Sequence, residues 1–202
     1  MFNTNNRITK FSLGLTLSLP LWLSAAELPP LPEAVSNNLV MSTTVAGRTY
    51  VASFMGLSAG KTHADVHNRV WQWTVGEPTW LKAPAVPSRQ RLSGRLASAG
   101  VSLQNHFFIF GGYTVAANGT EVSSSEGYRY SPVTKAYNKL PDMPVAVDDS
   151  VALAYNNRYI YLASGWSQDG NVNLVQVFDN FTQKWSQATP FPGTPTFGLA
   201  GA

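Results

Sequence analysis

A pair of large aromatic residues, seven positions apart, comes round three times: Trp73 and Trp80, Tyr130 and Tyr137, Phe178 and Trp185. Seven residues after each second aromatic stands a proline, at Pro87, Pro144 and Pro192. The second aromatics are separated by 57 and then 48 residues. Upstream of each pair lies an apolar run: Thr49 to Phe54, Phe107 to Phe110, and Tyr159 to Ala163. The second run ends in Gly111-Gly112 and the third in Ser164-Gly165, whereas Ser53 and Phe54 stand where the first copy's glycines are expected. A period near 50 residues restricts the chain to a repeat architecture, in which each unit buries its faces against its neighbours.

Each unit reads as four short strands. In the second these are Leu96–Leu103, Phe107–Phe110, Gly127–Tyr130 and Ala136–Leu140. In the third they are Ser150–Tyr155, Tyr159–Ala163, Leu174–Phe178 and Lys184–Gln187. Gln104-Asn105 and Asn156-Asn157 separate the first two strands, and Asn tolerates the positive φ that tight hairpins require. Composition agrees with an all-β chain: 16 Gly, 13 Pro and only 12% charged residues in 202. The chain has no cysteine, so a packed core and not a disulfide framework must hold it.

The first 26 residues have the pattern of a secretory signal. Arg7 and Lys10 precede an apolar run from Phe11 to Ala25, and Ser24-Ala25-Ala26 supplies the small residues of a cleavage site. This predicts a periplasmic or secreted protein that meets a membrane only during export. Without Arg7 and Lys10 the chain has 12 basic against 11 acidic residues, a net charge of +1. No basic field argues for nucleic acid.

The apolar strand with its glycine pair (Phe107–Gly112), the spaced aromatics and the period resemble the kelch family from about Val40 to Pro192. The resemblance implies a kelch-type β-propeller built of four-stranded blades. The blades are expected at about 38–87, 92–144 and 147–192, with the start of a fourth at 196–202. Propellers close at roughly four to eight blades. Three blades therefore predict an N-terminal fragment of a six- or seven-bladed propeller, the other reading being a half-propeller that closes by self-association.

In such a blade the loop after the second strand and the connection to the next blade emerge on one face. That face would gather the long loops Met55–Arg69, Tyr113–Glu126 and Gly165–Asn173, and long loops are where function concentrates. Its candidate ligand-binding residues are Arg89, Arg91 and Arg95 on the first connection, Asp148 and Asp149 on the second, and Trp166. Counted four past the anchor prolines, Arg91 and Asp148 hold equivalent places. Arginine suits bidentate capture of a carboxylate. Paired carboxylates suit sugar hydroxyls or acid/base work, and Trp166 suits stacking on a sugar ring. His63 and His67 flank Asp65 in the first loop, but no third ligand is evident, so no metal is expected. No cofactor is implied, and nucleophile elbow, phosphate loop and zinc signature are all lacking.

Among kelch proteins, the segment Leu31–Asn38 is similar to the opening of the secreted bacterial sialic acid mutarotases. That likeness implies carbohydrate binding on the long-loop face, for an N-acetylneuraminate mutarotase or epimerase-like isomerase acting on an acidic sugar, with catalytic residues unassigned. A non-catalytic module binding a protein or a glycan is the alternative, and the residues leave open whether the protein is an enzyme. Galactose oxidase, a third kelch relative, carries a tyrosine–cysteine cross-link beside copper, which a chain without cysteine does not show.

Overall fold

The structure, a computed structural model, describes residues 27–89 and 94–201. The segment read as a secretory signal, and Arg91, lie outside the described residues. Three antiparallel four-stranded meanders follow one another. The first blade runs Leu39–Val45, Arg48–Ser58, Val66–Thr74 and Leu81–Ala83, with Val35–Ser36 also paired to the end of its second strand. The second runs Ala99–Leu103, His106–Phe110, Gly127–Tyr130 and Tyr137–Lys139. The third runs Val151–Tyr155, Tyr159–Ala163, Val175–Asp179 and Lys184–Ala188. The first strands of the three blades lie side by side. Asn105, Asn156 and Asn157 take positive φ in their hairpins, as their residue type predicts, and Gln104 does so beside Asn105.

The run Phe107–Phe110 is wholly buried because it faces two neighbours at once. Phe107 and Ile109 pack with Met41, Ala52, Phe54 and Val70 of the first blade. Phe108 and Phe110 pack with Ile160, Leu162 and Phe178 of the third. A strand alternates its side chains between the two faces. A continuous apolar run is thus the signature of a strand buried on both, and alternation would have left one face wet.

Each aromatic pair is in contact: ring centroids lie 6.1 Å apart for Trp73 and Trp80, 4.7 Å for Tyr130 and Tyr137, and 5.1 Å for Phe178 and Trp185. The second aromatic also reaches the segment that enters its blade. Trp80 Nε1 donates to the Pro29 carbonyl at 2.8 Å, Tyr137 Oη to that of Pro84 at 3.0 Å, and Trp185 Nε1 to that of Pro141 at 3.0 Å.

A second set of links joins successive blade entries. Ala97 N donates to the Asn37 carbonyl, Asp149 N to that of Ala97, and Gly198 N to that of Asp149. All four residues are left-handed, with φ of 53°, 51°, 50° and 70° in chain order.

The glycine pair sits beside this chain of bonds. Strand register aligns Phe54, Phe110 and Ala163 opposite the first residues of their partner strands. Met55-Gly56, Gly111-Gly112 and Ser164-Gly165 therefore correspond, and all six have positive φ. This corrects the expectation for the first blade, whose pair is Met55-Gly56 and not Ser53-Phe54. There the strand runs on through a register shift between Phe54 and Gly56, which hides the pair inside a continuous strand. A Cβ at Gly112 would overlap Ser98 Oγ and the Leu96 carbonyl, whereas one at Gly47, on a hairpin tip, would meet nothing. Both have positive φ, 85° and 78°. Gly47→Ala is expected to cost about 1 kcal/mol from backbone strain alone. Gly112→Ala should cost at least about twice that, read as the difference in chemical-denaturation midpoints between the two variants.

Candidate functional site

The residue after each glycine pair turns back onto the connection that enters the same blade. Leu57 pairs with Ser36, Tyr113 bridges to Leu96, and Trp166 bridges to Asp148. The loops after the second strands are therefore not irregular. Two of them fold into small hairpins, Tyr113–Val115 with Glu121–Ser123 and Trp166–Ser167 with Gly170–Asn171. These hairpins and the inter-blade connections share one face, the arrangement expected from strand order.

Between the second and third blades this face holds a cleft of about 250 Å³, lined by Tyr113, Glu121, Asp148, Asp149, Trp166 and Phe197. Trp166 is 41% exposed and meets Phe197 edge-to-face at 6.1 Å. Asp148 is only 3% exposed, and its carboxylate accepts a 2.6 Å bond from Ser123 Oγ. Burial pushes the Asp148 carboxyl up to about 6; the Ser123 bond opposes the rise, and the charges of Asp149 and Glu121 add to it. Burial also raises Asp149. Three of the six residues singled out in the sequence thus come together here.

Arg89 and Arg95 do not join them. Glu126, buried at the start of the second blade's third strand, accepts from Arg89 N at 2.9 Å, Arg89 Nε at 3.1 Å, Arg95 Nη1 at 2.8 Å and Tyr128 Oη at 3.1 Å. Arg89 also pairs with Asp142. Arg95 is 1% exposed and lies over the Tyr128 ring, 5.7 Å from its centroid. Burial would raise the Glu126 carboxyl, but the Arg89 bonds and the Arg95 charge hold it below its ordinary value. The first blade has the same clamp with the charges exchanged. Arg69 immediately precedes Val70, which pairs with Phe54, just as Glu126 precedes Gly127, which pairs with Phe110. Arg69 donates from Nε at 2.9 Å and from Nη2 at 2.6 Å to Glu33, and Trp71 Nε1 adds a third bond at 2.6 Å. Arg69 and Trp71 hold the Glu33 carboxyl down at about 2. Arg89 and Arg95 therefore form one half of an entry clamp, and the cleft that holds Trp166 is lined by carboxylates. The equivalence drawn between Arg91 and Asp148 also changes: the counterpart of Asp148 is Leu96, because the two connections differ in length.

His63 lies exposed in a single 3-10 turn, His63–Asp65, whose Asp65 carboxylate is tied to Thr62 N and Oγ1 at 3.0 and 2.6 Å. His67 is buried, accepts from Arg69 N on Nδ1 at 3.2 Å, and has its pKa lowered by burial. Among the described residues no group of three or more His, Cys, Asp or Glu converges as metal ligands would. Sequence reasoning missed Tyr113, Glu121, Phe197 and Glu126. Tyr113 was within reach, since it follows Gly111-Gly112 as Trp166 follows Ser164-Gly165. Glu126 carries no local signal, because its role depends on partners 31 and 37 residues away.

Two predictions separate the clamp from the cleft. Glu126→Ala leaves the buried Arg95 charge uncompensated and should cost about 3–5 kcal/mol of stability in equilibrium denaturation. Asp148 has a folded pKa raised above its unfolded value of 3.8. Its protonated form therefore favours the fold below about pH 4, and that contribution is lost as pH rises to about 6. Asp148→Asn should flatten this part of the stability–pH curve and raise stability at pH 7 by about 2–3 kcal/mol, read by thermal unfolding across pH 4–8.

Among known proteins, the kelch motif is matched over residues 94–144, the second blade with its entry. Curated relatives include Kelch-like protein 15 of Danio rerio, 26% identical over 165 residues, which are 81% of this chain and 24% of that protein. Kelch-like protein 15 of Gallus gallus is 25% identical over the same share of this chain and 30% of its own length. The human protein is 26% identical over 132 residues, 64% of this chain and 20% of its own. The chain thus spans about a quarter of the length of the curated relatives it matches. The solved structure of YjhT superposes with a TM-score of 0.65 at 17% identity, covering 85% of this chain and 56% of that one. The chain carries a kelch motif in its second blade, and its all-β fold, three four-stranded sheets in succession, is that of blades of a kelch-type propeller.

Proposed function

We propose that this chain is the carbohydrate-binding part of an exported kelch propeller, with the sugar seated in the cleft between the second and third blades. One observation carries the reading: the exposed Trp166–Phe197 pair stands beside the carboxyls of Asp148, Asp149 and Glu121 in a single cleft. A sugar ring has an apolar C–H face and a rim of hydroxyls. The aromatic pair supports the first, and carboxylates accept hydrogen bonds from the second. Few well-placed polar groups on an aromatic wall are what a small-molecule site needs.

The charge of the cleft sets the kind of sugar. Three carboxyl groups, with no cation among the residues that line the cleft, favour a neutral or amine-bearing ring, and Arg89 and Arg95 are engaged by Glu126. The residues that line the cleft do not carry the acidic-sugar isomerase reading. Saturation-transfer NMR on the full-length protein, with glucose, galactose, glucosamine, N-acetylglucosamine and N-acetylneuraminate, tests this. Neutral or amino sugars should receive magnetisation, and Trp166→Ala should weaken their binding at least about tenfold, ~1.4 kcal/mol. Transfer to N-acetylneuraminate alone, unchanged in Trp166→Ala, would sink the reading. Binding should also strengthen between pH 5 and 7, as Asp148 loses its proton and becomes a full acceptor.

A further inference from the structure

The neighbouring blade junction has a cleft of its own. It measures about 200 Å³ and lies between the first and second blades, where Leu57, Lys61 and His63 form one side and Tyr113 and Glu121 the other. Tyr113 and Glu121 also line the cleft that holds Trp166. The two clefts share this wall, so a ligand lying over Tyr113 and Glu121 would follow one groove across two junctions. Leu57, Tyr113 and Trp166 follow their glycine pairs in register, so the groove presents a large apolar side chain at each repeat. Neither cleft alone reaches the ~300–1,000 Å³ of a drug-sized site.

The two ends of the groove differ in charge. Asp148 and Asp149 stand at the Trp166 end. Lys61 and His63 stand exposed at the Leu57 end, and Lys61 enters no ion pair among the described residues. Asp65, beside them, is engaged by Thr62, and Glu121 stands on the wall opposite, between the two ends. We infer that the groove takes an oligosaccharide at least two rings long. Its ring at Trp166 is uncharged or carries an amine, and its next ring, over Leu57 and Tyr113, carries a carboxylate that meets Lys61. This rests on the carbohydrate reading above and adds length, polarity and charge to it.

Calorimetric titration of the full-length protein tests both separately, with N-acetylglucosamine, chitobiose and the disaccharide of glucuronate linked to N-acetylglucosamine as probes. The expected order is single ring weakest, chitobiose intermediate, uronate disaccharide tightest, with about a tenfold spread. Lys61 has φ of 56°, a left-handed conformation that Asn tolerates, so Lys61→Asn removes the charge without adding strain. That variant should bring the uronate disaccharide down to chitobiose. Equal affinities for one and two rings, all abolished in Trp166→Ala, would overturn the two-ring groove and leave the single-ring site standing. Chitobiose binding as tightly as the uronate disaccharide would overturn the polarity. Failure of all three probes to bind would overturn the carbohydrate reading as well.

Discussion

The bonds Ala97 N to Asn37 O, Asp149 N to Ala97 O and Gly198 N to Asp149 O tie one blade entry to the next. Each is an ordinary backbone bond, worth about 1 kcal/mol net. Each also holds a left-handed residue, and for Ala97 that conformation costs of the order of 1–2 kcal/mol. The chain of bonds cannot hold itself. It persists because the two inter-blade cores, one around Phe107 and Ile109 and the other around Phe108 and Phe110, fix the blades at the spacing it requires. The aromatic-to-proline bonds at Pro29, Pro84 and Pro141 fix the entering segments elsewhere in each blade. Packing sets the distance, and the strained residues then have one place to go.

A frame held in this way leaves certain positions free to vary. Ser36, Leu96, Asp148 and Phe197 each precede a left-handed residue, and they share no chemistry. Leu57, Tyr113 and Trp166 each follow a glycine pair and share only bulk. The entry clamp shows the same freedom in its charges, Glu33 to Arg69 in one blade and Arg89 with Arg95 to Glu126 in the next. The clamp serves two of the three blades; in the third the same place, before the partner of Ala163, is taken by Leu174. A position that can be Leu, Asp or Phe without moving the backbone is available to ligands.

The fold was legible wherever the frame repeats. The aromatic pairs, the doubly buried Phe107–Phe110 run and the Asn turns all appear at the residues that predicted them, because each reports a local rule. The first blade's pair was misplaced because Met55 holds a left-handed position that a glycine marks in the second copy. There, packing overrides the preference of the residue type. The site was legible by half. Asp148, Asp149 and Trp166 lie in the cleft because they belong to the connecting segments that line it. Arg95 looked equally exposed in sequence and is buried, because its place corresponds to Val147, which precedes Asp148 as Arg95 precedes Leu96. Counting from the prolines hid that correspondence. Only the bridges Leu96 to Tyr113 and Asp148 to Trp166 reveal it.

Asp149 belongs to the frame and to the cleft at once. Its backbone carries two of the bonds between blade entries, and its φ of 50° fixes the direction in which the Cα–Cβ bond leaves the chain. Its carboxyl is therefore aimed by the same geometry that joins the blades. Asp is among the few side chains that visit this conformation at modest cost, so one residue can meet both demands. Gly198 meets the backbone demand alone, and Asn37 adds a side-chain hydrogen bond with Tyr113 but no charge. At Ala97 the side chain is too short to reach a ligand, and the cleft there is lined by Tyr113 and Glu121 from the neighbouring hairpin. The acidity of the second junction thus comes from one left-handed position being filled by Asp, next to an Asp148 that the same turn buries. Charge at this face depends on which of the tolerated residues occupies each link between blades.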